Sequence, residues 1–169
     1  MGLNKINKRS LLLYIIASYN VVIILIVLIR ALNVFFNSSD SGMTELLLDL
    51  FLFSVYSILI ITNLFLIFSK EFTRFCLIYN LFFALSQVVH VKLLGVIYEF
   101  SSGVEIIPFI SLNNGYAFGI EYDIMRIVFT LFYDSSRLGF FVGINIIPLL
   151  IFLYFLRMYK QVNFKNNSA

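Results

Sequence analysis

Charge is scarce in this chain, and so is cysteine. Of its 169 residues only 12% are Asp, Glu, Lys or Arg, against roughly 25% in soluble globular domains. That shortage excludes an ordinary water-facing surface over most of the chain. Cys76 is the single cysteine, which excludes an internal disulfide and any cysteine-based zinc site. It reads as a small buried apolar side chain. His90 is the single histidine, too few for a conventional zinc centre, and the carboxylates show no ligand spacing. There is no phosphate-binding glycine loop, nucleophile elbow, dinucleotide fingerprint or internal repeat. Neither a metal nor a cofactor is expected.

What the chain has in abundance is apolar surface: 61% of its residues are hydrophobic and its mean hydropathy is +0.97. Lipid is therefore the expected solvent. Four apolar runs, 11–32, 46–68, 75–94 and 138–159, are each long enough to cross a hydrocarbon core of ~30 Å at ~1.5 Å per residue. A signal-peptide core is only about 7–15 residues and ends in a small-residue cleavage site, so the first run reads as an uncleaved span. Thr44 and Glu45 read as the cap and first turn of the second helix. The expected fold is an α-helical integral membrane protein, a four-helix bundle of transmembrane helices. A β-hairpin-containing extracytoplasmic insertion, 95–137, would lie between the third and fourth spans, and a disordered cytoplasmic tail would occupy 160–169.

Orientation follows from the basic residues. Lys5, Lys8, Arg9, Lys70, Arg74, Arg157, Lys160 and Lys165 fall on one side of a four-span arrangement. Both termini are thus expected in the cytoplasm, in a bacterial inner membrane. The net charge of +3 is distributed as topology signal, and no nucleic-acid partner is implied.

Within the insertion, Tyr116, Phe118, Ile120, Tyr122 and Ile124 alternate with Ala117, Gly119, Glu121 and Asp123, the period of a half-buried strand. Asn114-Gly115 is the dipeptide that best accepts a two-residue hairpin turn. That turn would pair Ser111 with Phe118, Phe109 with Ile120 and Ile107 with Tyr122. Residues 126–133 fit either a third strand or an interfacial helix.

Ionisable groups inside spans cost about 2.5–3.5 kcal/mol at mid-bilayer, which makes each a site hypothesis. Arg30, Asp49 and His90, with the neutral Gln87 and Asn145, could form one polar intramembrane layer. The simpler alternative pairs Arg30 with Asp49 or Glu45 and hydrogen-bonds His90 within the bundle. Asn20, Asn63, Asn80 and Asn145 put one asparagine in every expected span, with Asn63 and Asn80 at matching depth for a bond between helices.

Two stretches resemble blocks of the lipoprotein signal peptidase (signal peptidase II) family. Asn113-Asn114-Gly115-Tyr116-Ala117-Phe118-Gly119 is similar to that family's Asn-x-Gly-x-Ala-Phe block. Phe36-Asn37-Ser38-Ser39-Asp40-Ser41 is similar to its Phe-Asn-x-Ala-Asp block, in the reverse of the family's order. The resemblance implies a catalytic role for Asp40 and a substrate-positioning role for Asn113, in an intramembrane aspartyl peptidase. The residues themselves, lacking a complete catalytic set, point first to a non-enzymatic accessory or assembly subunit of a membrane complex. Its partners would be the lipid bilayer and other membrane protein subunits. A transporter or channel component is a further alternative.

Overall fold

A computed structural model describes the backbone of residues 3–37, 43–68, 73–112, 116–133 and 139–166. The elements run α1 (Leu3–Asn37), α2 (Met43–Phe68), α3 (Thr73–Ser86), β1 (Val89–Leu93), β2 (Val96–Ser111), β3 (Ala117–Tyr133), β4 (Phe140–Ile144) and α4 (Ile146–Asn166). The chain divides into two compact units, Met1–Asn80 and Leu81–Ala169.

In the first unit, α1 and α2 are long helices rich in Leu and Ile, with neither Pro nor Gly inside them. Ala17, Ile24 and Val27 of α1, Leu59 and Leu66 of α2, and Leu77 of α3 are buried. One polar layer crosses this apolar packing. Asn63 Nδ2 donates to Asn80 Oδ1 at 3.0 Å, the bond expected between those helices. Asn20 joins it, its Nδ2 lying 3.4 Å from Asn63 Oδ1 and 3.3 Å from Asn80 Oδ1. Asn80 Nδ2 donates to Cys76 O at 2.9 Å and to Thr62 Oγ1 at 3.4 Å. Buried amides are tolerated here because they satisfy one another.

The four-helix membrane bundle is overturned in the second unit. Among the described residues, only Leu11–Ile29 and Leu50–Phe68 form helices long and apolar enough to cross a membrane. The expected third span, 75–94, breaks at Ser86, leaving α3 with 14 residues. Gln87 N and Val88 N close short bonds to Ala84 O (3.2 Å) and Leu85 O (3.1 Å), a tightened helix end. The β-branched Val88, Val89 and Val91 then favour strand over helix, and 89–93 is β1. The expected fourth span, 138–159, begins instead with β4. Pro148 falls in the first turn of α4, where its missing N–H costs nothing, and the helix runs on to Asn166 through much of the expected tail. With neither flanking run a span, 95–137 is not an insertion between two crossings, and the integral four-span reading goes with it.

The sheet is antiparallel, in the order β1-β4-β2-β3, with β1 also pairing to β2. Leu93 pairs with Val96 across a two-residue turn of Leu94 (φ 50) and Gly95 (φ 87), the geometry of a type I′ hairpin. β1 pairs along its length with β4, Val89 opposite Ile144. β4 in turn pairs with the far end of β2, Phe109 opposite Gly143. Strands β1, β2 and β4 therefore close on one another, β2 bending between its two contacts around Gly103 (φ 109).

The long β2–β3 ladder places Ser111 opposite Ala117, Phe109 opposite Gly119 and Ile107 opposite Glu121. This is one residue away from the expected register, and a one-residue slip exchanges the two faces. Phe109 and Ile107 accordingly share a face with Glu121 and Asp123, not with Ile120 and Tyr122. Asn113, Asn114 and Gly115 lie outside the described residues. Residues 126–133 are the continuation of β3.

Candidate functional site

The inward face of β2 carries Ile97, Glu99, Ser101, Gly103, Glu105 and Ile107, all buried. Between the pairs Gly103↔Arg126 and Glu105↔Asp123, two residues of β3 face one of β2. That bulge restores the phase of β3, so Arg126 and Glu121 both stand on the inward side. His90, opposite Gly143 on β1, turns the same way. Gly143 is bare because a Cβ there would lie 2.5 Å from Ile107 Cγ2. On the neighbouring part of this face Phe109 stacks on Phe141 at 5.0 Å, and a Cβ on Gly119 would meet the Phe109 ring at 2.6 Å.

The result is a charged cluster inside the closed part of the sheet. Arg126 bonds to Glu99 Oε1 through Nη2. It stands 3.5 Å from Glu105 Oε2 and 3.7 Å from Glu121 Oε2. One guanidinium thus serves three carboxylates. His90 Nε2 lies 3.9 Å from Glu105 Oε1, and these two side chains are only 3% and 1% exposed. Burial raises the Glu105 carboxyl above its usual range, opposed by Ser101 and Arg126. Burial also lowers His90, opposed by the Glu99 charge. Each group is pushed towards its neutral form because a low-dielectric interior penalises both charges.

Asn145 closes the cluster from the start of α4. Its N donates to Val88 O at 2.7 Å. Its Oδ1 accepts from Ile147 N at 3.3 Å, an N-cap bond, and from Ile106 N at 3.4 Å. Gln87 supports the other side, its Oε1 accepting from Ser102 N and Ser102 Oγ, both at 2.9 Å.

Of the residues singled out by sequence, Gln87, His90 and Asn145 are brought together in the second unit. Arg30 and Asp49 fall on α1 and α2 of the first unit, and their side chains, like Asp40 altogether, lie outside the described residues. Glu99, Ser101, Glu105 and Arg126 were not singled out, although alternation along 97–107 would have grouped three of them. Lys92 lies over the Phe141 ring, 5.4 Å from its centroid.

Chemically the cluster is limited. Among the described residues no trio of His, Cys, Asp or Glu could hold a metal ion. Ser101, His90 and Glu105 are the residue types of a hydrolase triad, but His90 turns towards the carboxylate the nitrogen a serine would need.

The opposite face of the hairpin is open and apolar. Phe118 and Tyr122 are 77% and 83% exposed, and Tyr116, Ile120 and Ile124 stand equally free. Ile110, Pro108 and Ile106 of β2 lie opposite Phe118, Ile120 and Tyr122. Among the described elements β3 pairs with β2 alone and forms one edge of the sheet. No family model, curated protein or solved structure matches this chain.

Proposed function

We propose that the chain is a membrane-anchored assembly subunit that docks a protein partner on the apolar face and open edge of β3. The anchor is the α1–α2 pair. Leu11–Ile29 and Leu50–Phe68 are only 22% and 28% buried, unlike core helices of a water-soluble fold. Positive-inside charge puts Lys5, Lys8 and Arg9 together with Lys70 and Arg74 at the cytoplasmic face.

The observation that carries the docking reading is the run of exposed apolar side chains from Tyr116 to Ile124. Solitary exposed apolar residues need no explanation, but a contiguous patch marks an interaction surface. Water suits the free edge of β3 and not its apolar face. Lipid suits the face but leaves the edge N–H and C=O groups without partners, at a cost of several kcal/mol each. A polypeptide that lays a strand along β3 and covers its apolar face satisfies both.

Photocrosslinking of the full chain in its native membrane tests this. A crosslinker at Tyr122 captures one defined polypeptide, whereas one at the exposed Leu153 of α4 does not. Ile120→Lys abolishes that capture while leaving the circular dichroism unchanged. Capture of lipid alone, or of a second copy alone, overturns the reading. Asp40→Asn leaves the crosslink intact, whereas it abolishes turnover if the resemblance to lipoprotein signal peptidases reflects activity.

A further inference from the structure

Among the described residues, four buried polar atoms in the closed part of the sheet have no hydrogen-bond partner: His90 Nε2, Ser101 Oγ, Glu105 Oε1 and Asn145 Nδ2. Their residues are all more than nine-tenths buried. Buried polar groups are nearly always satisfied, so four orphans in one interior require a common partner.

Two of the four atoms are near neighbours, and the other two belong to residues that act on the same stretch of β2. His90 Nε2 and Glu105 Oε1 are 3.9 Å apart. Asn145 reaches β2 at Ile106, the residue next to Glu105. Ser101 lies near enough to Glu105 to favour its carboxylate, while Ser101 Oγ itself closes no hydrogen bond among the described residues.

Their donor and acceptor roles are set by the bonds already made. Both bonds to Asn145 Oδ1 come from backbone N–H groups, so its orphan is the donating Nδ2. His90 is supported by a hydrogen bond to the Gln87 backbone. With Nε2 unpartnered, that bond leaves through Nδ1, and Nε2 presents a lone pair. Glu105 Oε2 faces Arg126, leaving Oε1 to accept. Ser101 Oγ, a rotatable hydroxyl held by no other bond among the described residues, is free to supply a hydrogen. The set is two acceptors and two donors.

We propose that this interior binds a single water molecule, donating to His90 Nε2 and Glu105 Oε1 and accepting from Asn145 Nδ2 and Ser101 Oγ. Two acceptors sharing one water at ordinary hydrogen-bond lengths stand about 4 Å apart, as His90 and Glu105 do. A cation is disfavoured by Asn145 Nδ2 and Arg126, and an anion by Glu105 and the His90 lone pair. Three to four bonds are usual for a structural water. This one ties β1, β2 and the cap of α4 together, independently of what docks on β3.

His90 is the only histidine, so its imidazole gives one set of signals in the labelled full chain in deuterated detergent. A water cross-peak to His90 Hε1, with the sign of a long-held molecule, is expected together with an unprotonated Nε2 nitrogen shift. The cross-peak persists in Ser101→Ala, which removes relay through the hydroxyl and leaves three bonds to the water. Its absence in the parent chain, or its loss in Ser101→Ala, overturns the proposal. A protonated Nε2 bonded directly to Glu105 overturns it as well.

Discussion

Leu94 carries the least favourable backbone of the described residues. Its φ of 50 puts a branched side chain in the left-handed region, at a cost of roughly 1–2 kcal/mol relative to an unstrained residue. The side chain is exposed and contributes little packing in return. Leu94→Asn, which suits both central positions of a type I′ turn, is expected to stabilise the fold by about 1 kcal/mol, read as a higher midpoint in thermal denaturation. Gly143 behaves oppositely: Gly143→Ala drives a methyl against Ile107 and is expected to cost ~1–3 kcal/mol as overpacking. Glu105 contributes a pH dependence. Its folded pKa lies above its usual value of 4.5, so the fold binds its proton more tightly than the unfolded chain does. Stability from this group is complete below about pH 4.5 and is lost as pH rises through the folded pKa. Glu105→Gln is therefore expected to melt higher than the parent chain at pH 8, with the two curves converging near pH 4.5. Equal midpoints at pH 8 would refute that assignment.

At the level of elements, the asparagine layer is the polar device that joins three helices. Asn80 is its hub, accepting from Asn20 and Asn63 and donating to Thr62 and Cys76. Hydrogen bonds between helices in membranes average ~0.6 kcal/mol and reach ~1.7. Asn80→Leu, which takes one acceptor from Asn20 and one from Asn63 at once, is expected to cost about 1–2 kcal/mol in a reversible unfolding titration, and Asn20→Leu distinctly less. The Asn63–Asn80 bond was legible in the sequence, because the two amides fall at matching depth, whereas the part of Asn20 was not, and Asn145 caps α4 instead. The first half of β3 was legible too, since a period of two is local, while 126–133 read equally as strand or interfacial helix. β1 and β4 were not. Val89–Leu93 and Phe140–Ile144 sit inside longer apolar runs, and a count of apolar residues is blind to the period within them. The Val88-Val89-x-Val91 run, which favours strand, was the one contrary signal. The bulge at Arg126 hid the charged cluster in the same way. Alternation counted straight through 116–130 puts Arg126 on the face opposite Glu121, and only the extra residue of β3 brings them together.

For the whole molecule the decisive question is whether the chain crosses a bilayer, and how many times. Composition alone supports four crossings, but helix length reduces the candidates to α1 and α2. Two crossings make a sharper statement about sidedness than four do. The basic residues before α1 and those at Lys70 and Arg74 must then face the same compartment, and the 38–42 connection, without Lys or Arg, the other. Cys76 is 1% exposed, so a maleimide background is small and single introduced cysteines report alone. In intact cells a membrane-impermeant maleimide is expected to label Ser41→Cys and to spare Asn7→Cys; in inverted vesicles the pattern reverses. Labelling of both positions in intact cells would mean that α1 does not cross, and the anchor would be lost from the proposal. The reverse pattern would keep the crossings but turn the molecule over. Either result would be independent of the crosslink at Tyr122, because that experiment reads what covers β3 and this one reads where the helices run.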